Sequence, residues 1–266
     1  MSEPRPPDIR IDDLADPVLS PIQRQAIAEA ERQPVELRVD AVLDAAVRRT
    51  GLSDFGADDF RERLAVWLEA AAEDDNASAL GRAIVFNDCV RYASNRLRLE
   101  DLIRRHPEIL KVEIRQPIII VGLPRSGTTH LLNLIAADRR LRSLPYWESL
   151  EPVPAPGEEH GPDGADPRLA RCRQAAAMQD ALLPLLRAMH FMTPEHIHEE
   201  IELQAIDFSS YLLEWIAHVP RWRDYYLSHD QRPHYLYMKK ALQALQWLRG
   251  PDRWVLKSPQ HLEQIG

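Results

Sequence analysis

The feature that most constrains this chain is a β-branched run, Ile118-Ile119-Ile120-Val121. It passes directly into Gly122-Leu123-Pro124-Arg125-Ser126-Gly127-Thr128-Thr129 and then into a segment with Leu131, Leu132, Leu134 and Ile135 apolar. Short, continuous and β-branched is the pattern of a strand buried on both faces of a parallel sheet. Strand, Gly-x-x-x-x-Gly-Thr-Thr, helix is the geometry of a loop that cradles an anion. Gly122 and Gly127 let the backbone curl so that successive N–H groups converge, and a helix starting near Gly127 aims its free N–H groups at the same point. Thr128 and Thr129 add hydroxyl donors. A tight strand-to-helix turn with no ligand is the plainer alternative.

Around this core the pattern is helical. Ser20-Pro21 predicts a capped helix to about Gln33, after an extended, proline-punctuated arm over 1–19. Val39, Val42, Leu43, Ala46 and Val47 share a helical face ended by Gly51. Asp58 is a candidate cap for a helix carrying Phe60, Leu64, Trp67, Leu68 and Ala71, and Ser78 to His106 reads as one long helix stopped by Pro107. Residues 152–167 are rich in proline and glycine and predict a loop. Helices are expected to resume at about 167–189, 195–218 and 233–249. Trp254-Val255-Leu256 reads as a second buried strand, and Gln264-Ile265-Gly266 falls inside an apparent helix. The expectation is an α/β fold: an α-helical region over 1–110, then a P-loop-type parallel core over 111–266 with a helical insertion at about 152–250. With only two strands legible, the sheet is expected to be incomplete and the C-terminal part of the core missing.

The loop departs from the nucleotide-triphosphatase pattern, which places Lys directly after the second glycine. Thr128 stands there, and the cation has moved back to Arg125. ATP or GTP hydrolysis loses its key residue, whereas a nucleotide carrying a different transferable group remains suited. Residues 117–129, Pro-Ile-Ile-Ile-Val-Gly-Leu-Pro-Arg-Ser-Gly-Thr-Thr, resemble the 5′-phosphosulfate loop of sulfotransferases that use 3′-phosphoadenosine 5′-phosphosulfate (PAPS). Trp147-Glu148 followed by Pro152 and Pro154, His198-Glu199-Glu200, and the stretch from Arg253 through Lys257-Ser258-Pro259-Gln260-His261 to Leu262 resemble the bacterial branch of that family. The resemblance covers about residues 80–266. It implies donor binding by Gly122, Pro124, Arg125, Ser126, Gly127, Thr128 and Thr129. It also implies metal-independent transfer of a sulfuryl group to a hydroxyl or amine. The family's 3′-phosphate reader, an Arg and a Ser on a further strand, falls beyond the 266 residues, so the activity of this stretch alone is an open expectation.

Sulfuryl transfer needs in-line placement, charge on the leaving oxygen and a base for the acceptor proton. Arg125 suits the leaving oxygen, although a salt bridge at the helix start would also explain it. Glu148 is the first choice of base, because in the resembling family a Glu follows the next strand at a comparable distance. An ordinary carboxylate at a helix N-terminus is its alternative. His198 is the second choice. His190, His196 and His198 cluster with Glu195, Glu199, Glu200 and Glu202. An acidic helix beside the acceptor cleft is favoured there over a metal site, since His-x-His on a helix points the rings apart. Lys257 could neutralise the sulfate or the bridging oxygen, or simply snorkel, and its spacing from His261 allows the two to converge at the sheet's carboxyl edge. His130 reads as a wall residue. The aromatics over 211–247 read mostly as core or cleft wall, and would suit an apolar acceptor.

Composition narrows the partners. Lys plus Arg is 33 against Asp plus Glu at 41, a formal charge of −8. An acidic chain with no basic block is a poor nucleic-acid or anionic-membrane binder. Two well-separated cysteines, Cys89 and Cys172, predict neither a disulfide framework nor a zinc site, and point to a cytoplasmic protein. No apolar run approaches the ~20 residues a membrane span needs. A homo-oligomer is possible. Three other readings remain: a small-molecule kinase with an altered loop, a non-catalytic phosphate-binding module, and an inactive or partly folded fragment.

Overall fold

The computed structural model describes residues 10–265 except 14, 162–163, 191 and 251–252. The expected N-terminal arm therefore lies outside the described residues at 1–9 and 14, as does Gly266. Ser20 caps α1 (Pro21–Arg32) through a reciprocal box with Gln23. The helix α2 (Val39–Thr50) ends on Gly51 at φ +71°. In α3 (Phe60–Ala72) no side chain caps the start, and Asp58 instead accepts from Arg61 at 2.7 Å. The longest helix, α4 (Ala79–Arg105), is capped by Ser78 and runs into a 3-10 turn at Pro107.

The sheet holds three parallel strands in the order β1-β3-β2 among the described residues. The strand β1 (Ile118–Ile120) pairs with β3 (Arg253–Lys257) in the register Ile118–Val255, Ile120–Lys257. The strand β2 (Leu141–Arg142) pairs with the start of β3. It is two residues long, too short to leave a sequence signature. Burial of β1 on both faces is not observed: Ile119 is 47% exposed and Val121 38%. Between the strands run α5 (Thr128–Ala136) and α6 (Tyr146–Leu150). Before β3 come α7 (Pro167–Leu182), α8 (Leu186–Met189), α9 (Ile201–Ala205), α10 (Leu212–Ile216), α11 (Pro220–Ser228) and α12 (Arg232–Leu248).

The continuous helix expected over 195–218 is broken. Residues 196–200 are not helical; Ile197 forms an antiparallel bridge with Pro145, and Phe208 turns the chain with φ +53°. The segment after β3 is a 3-10 turn, Pro259–Gln264, rather than the expected α-helix. Pro259 at its start cannot donate, and Ser258 caps the turn through Gln260.

One core joins the N-terminal helices to the insertion. Trp67 packs edge-on against Tyr92, Phe208 and Trp222 at centroid distances of 5.9, 5.6 and 5.4 Å. Trp222, Tyr226 and Tyr237 are buried in the interior, while Trp215 and Trp247 remain exposed. A charged knot locks the junction. Asp207 accepts from Arg63 at 2.8 Å and Arg96 at 2.7 Å, and contacts His234 at 2.6 Å. Arg96 is sandwiched between the rings of Phe60 and Tyr237, each 4.3 Å away. Burial pushes the Asp207 carboxyl up, but His234 and the two guanidiniums hold it below the usual range. Asp207→Ala strands two buried guanidiniums and is expected to cost about 3–5 kcal/mol in urea unfolding; a loss under about 1 kcal/mol would show the knot to be dispensable.

Candidate active site

The 122–129 loop leaves β1 beside the end of β3, because Ile120 is in register with Lys257. It is curled and open. A Cβ on Gly122 would lie 2.7 Å from Thr128 Cγ2 and 3.2 Å from Ser126 Oγ, so only glycine permits that close approach. Arg125 at φ +66° and Gly127 at φ +89° are left-handed, the alternation that turns successive N–H groups toward one concavity. Ser126 Oγ donates to Leu123 O at 2.6 Å and tightens the turn. No side chain caps α5, and residues 123–127 face solvent, neither packed into the interior nor covered. Pro124 lies at the exposed crest, Thr128 and Thr129 are half-buried in the first turn of α5, and His130 is exposed. Arg125 reaches across to donate to Met189 O at 3.3 Å.

Opposite the loop, Lys257 is 3% exposed and its Nζ is held by Glu199. Glu200, completely buried, receives the Lys257 backbone N–H at 2.8 Å and contacts His261 Nε2 at 2.5 Å. Tyr235 OH meets His261 Nδ1 at 2.7 Å. Burial pushes the Glu199 carboxyl up against the pull of Lys257, and its Oε2 is buried without a hydrogen-bond partner.

The histidines gather here for a reason the helical reading hid. In extended chain, residues i and i+2 lie on one face, and the rings of His196 and His198 come within 6.0 Å, with His190 5.7 Å from His196. His198 also packs on Tyr146 at 4.8 Å. Burial first, then neighbouring rings and the Lys257 charge, keep His198 well below its ordinary value. His190 is lowered by burial first, then by the charges of Lys257 and Arg125. The Nδ1 atoms of His190 and His198 are buried with no partner, a state that costs about 1–3 kcal/mol each. Among the described residues no group of three or more His, Cys, Asp and Glu could hold a metal ion.

Glu148 does not join this cluster. It is 2% exposed and receives Arg142 at 2.7 Å and Arg249 at 3.0 and 2.9 Å. Arg142 in turn donates to Arg249 O at 3.0 Å and stacks over Trp254. That fixes the carboxylate near the start of β3, whereas Lys257 is three residues, about 10 Å, further along at about 3.3 Å per residue. The partners of Glu148, Arg142 and Arg249, lie 6 and 101 positions away, and Glu199 and Glu200 meet Lys257 across 58 and 57 positions, so no local signal marks either grouping.

A sequence profile described as the sulfotransferase family matches residues 117–266. The chain belongs to that family. Two solved sulfotransferase structures are similar to it. Sulfotransferase STF1 from Mycobacterium tuberculosis H37Rv is 29% identical with a TM-score of 0.67, over 84% of this chain and 61% of that one. Sulfotransferase STF9 from Mycobacterium avium is 27% identical with a TM-score of 0.73, over 88% of this chain and 59% of that one. This chain thus spans about three fifths of the length of either structure. A search of curated proteins finds no match. Among the described residues no helix is long and apolar enough to cross a membrane.

The histidine cluster has a pH signature. Burial lowers His196 from 6.5 to about 4, so between those values the unfolded chain binds a proton that the folded chain refuses. Stability therefore rises with pH across that window and is lost toward the lower value. Ring-proton NMR should give His196 a midpoint near 4, and His196→Gln should flatten the stability slope between pH 4 and 6.5; a midpoint near 6.5 would contradict the packing described.

Proposed function

We propose that this sulfotransferase chain binds PAPS at the 122–129 loop and takes part in moving its sulfuryl group to a hydroxyl or amine acceptor. The observation that carries the reading is the open, left-handed loop that follows Ile120, the strand residue in register with the buried Lys257. In the reaction the bond between sulfur and the bridging phosphate oxygen breaks, sulfur bonds to the acceptor oxygen or nitrogen, and the acceptor proton passes to a base. Adenosine 3′,5′-bisphosphate leaves. The loop amides and the hydroxyls of Thr128 and Thr129 suit the 5′-phosphate, in the manner of helix N-termini generally. Arg125 and Lys257 supply positive charge for the bridging oxygen as it takes up negative charge.

For the base the geometry favours His198 over Glu148. His198 belongs to a ring cluster kept unprotonated beside Lys257, so its lone pair is available. Glu148 serves an ion pair toward the other end of β3.

Calorimetric titration with adenosine 3′,5′-bisphosphate, 5′-AMP and ATP tests the donor. Metal-independent preference for the bisphosphate is expected; equal, weak binding of all three would leave a bare phosphate-binding module. With an acceptor alcohol, His198→Gln should lower the transfer rate by about 10²–10⁴-fold, the usual worth of a positioned base. Glu148→Gln, corrected for any loss of folded protein, should stay within about tenfold. The opposite ranking would return the base to Glu148.

A further inference from the structure

We propose that the acceptor is an alcohol bearing an apolar chain, and that this chain lies in the cavity between α1 and the α7–α8 junction. The inference rests on the transfer reading above and adds the class of substrate. The cavity, of about 300 Å³, is walled by Leu182, Leu183, Pro184, Leu185, Leu186 and Met189. Its one polar wall residue, Gln23, is already committed: its amide donates to Leu182 O at 2.9 Å, and its Oε1 accepts the Ser20 N–H at 2.8 Å. Nothing in the wall is free to solvate a charged or polyhydroxylated ligand, and burying either without partners is costly. Yet Leu183, Leu185 and Met189 are 50%, 42% and 65% exposed. Water-facing apolar side chains lining a concave site gain by receiving an apolar guest.

Continuity with the loop identifies the guest. Met189 lines the cavity with its side chain and accepts from Arg125 with its carbonyl at 3.3 Å. The next residue is His190, whose Nδ1 is buried without a partner. The residue that ends the uncharged apolar hollow is thus held to Arg125 through its carbonyl and directly precedes a residue with an orphaned polar atom. A molecule that fits both has an apolar body and a hydroxyl at its tip. The aromatic stretch 211–247, to which the sequence assigned an apolar acceptor, is largely spent on the interior, with Trp222 and Tyr226 fully buried.

The test uses the full chain with methyl-labelled methionine and saturating adenosine 3′,5′-bisphosphate. Primary alcohols from butanol to decanol are titrated while the methyl resonances of Met189 and the interior Met238 are followed. Affinity is expected to rise about fourfold per added methylene until the cavity is full, with Met189 shifting and Met238 still. Leu183→Asp, at an exposed position, should abolish the chain-length dependence; repeating the bisphosphate titration on that variant confirms that it is folded. Affinity independent of chain length, a silent Met189, or self-association of the chain in place of alcohol binding would overturn the proposal while bisphosphate binding stands. Loss of bisphosphate binding in the parent chain would instead overturn the transfer reading, and this assignment with it.

Discussion

Two adjacent glutamates hold the site together. Glu199 takes the ammonium of Lys257, and Glu200 takes the backbone N–H of the same residue together with the ring of His261. These contacts span 57 to 61 positions of sequence. They tie the histidine segment, contributed by the helical insertion, to the carboxyl end of β3. A fully buried carboxylate is tolerated only when its lone pairs are engaged, and Glu200 meets that condition with both oxygens. Removing it would free the extended 196–200 segment from the sheet and leave Lys257 without its fixed backbone. The 122–129 loop would persist, since Gly122 and Gly127 shape it locally, but the side chains around Lys257 would no longer be set.

The helices outside the sheet serve the same end. The second half of α4 is buried through Tyr92–Leu99, and it lies between two apolar cores, one gathered around Trp67 and the other around Leu99 and Trp254. Arg96 on that helix reaches the Asp207 knot, and Arg91 pairs with Glu202 at 2.9 Å. Asp207 and Glu202 belong to the same stretch as the two glutamates. Charges from the N-terminal region therefore fix the chain that directly follows the two residues gripping Lys257. Surface pairs such as Arg232–Asp230 would not do this, because solvent screens them to near zero.

What was legible in the sequence follows from how local each cause is. Ser20, Gly51 and Ser78 mark helix ends by hydrogen bonds within three or four residues, and the structure honours them. The glycine loop is equally local. The failures lie where distant partners decide. Periodicity read 195–218 as a helix, yet Leu144 O accepts the His198 N–H, His196 O accepts the Tyr146 N–H, and Glu200 is drawn to β3, so extended chain wins. The partners of Glu148 escaped the sequence reading because its guanidiniums come from positions 142 and 249. A two-residue β2 exists only because β3 lies beside it.

The same long-range arrangement couples the three histidines to the charge at the mouth of the loop. Without an anion, burial together with Lys257 and Arg125 keeps His190 lowered, and burial with Lys257 does the same to His196 and His198. An anion seated in the loop offsets those positive charges, and each ring's affinity for a proton rises accordingly. On the transfer reading proposed above, rings that resist protonation around an empty loop would become more basic once a negatively charged donor is seated, so the charges of Lys257 and Arg125 would favour donor before acceptor.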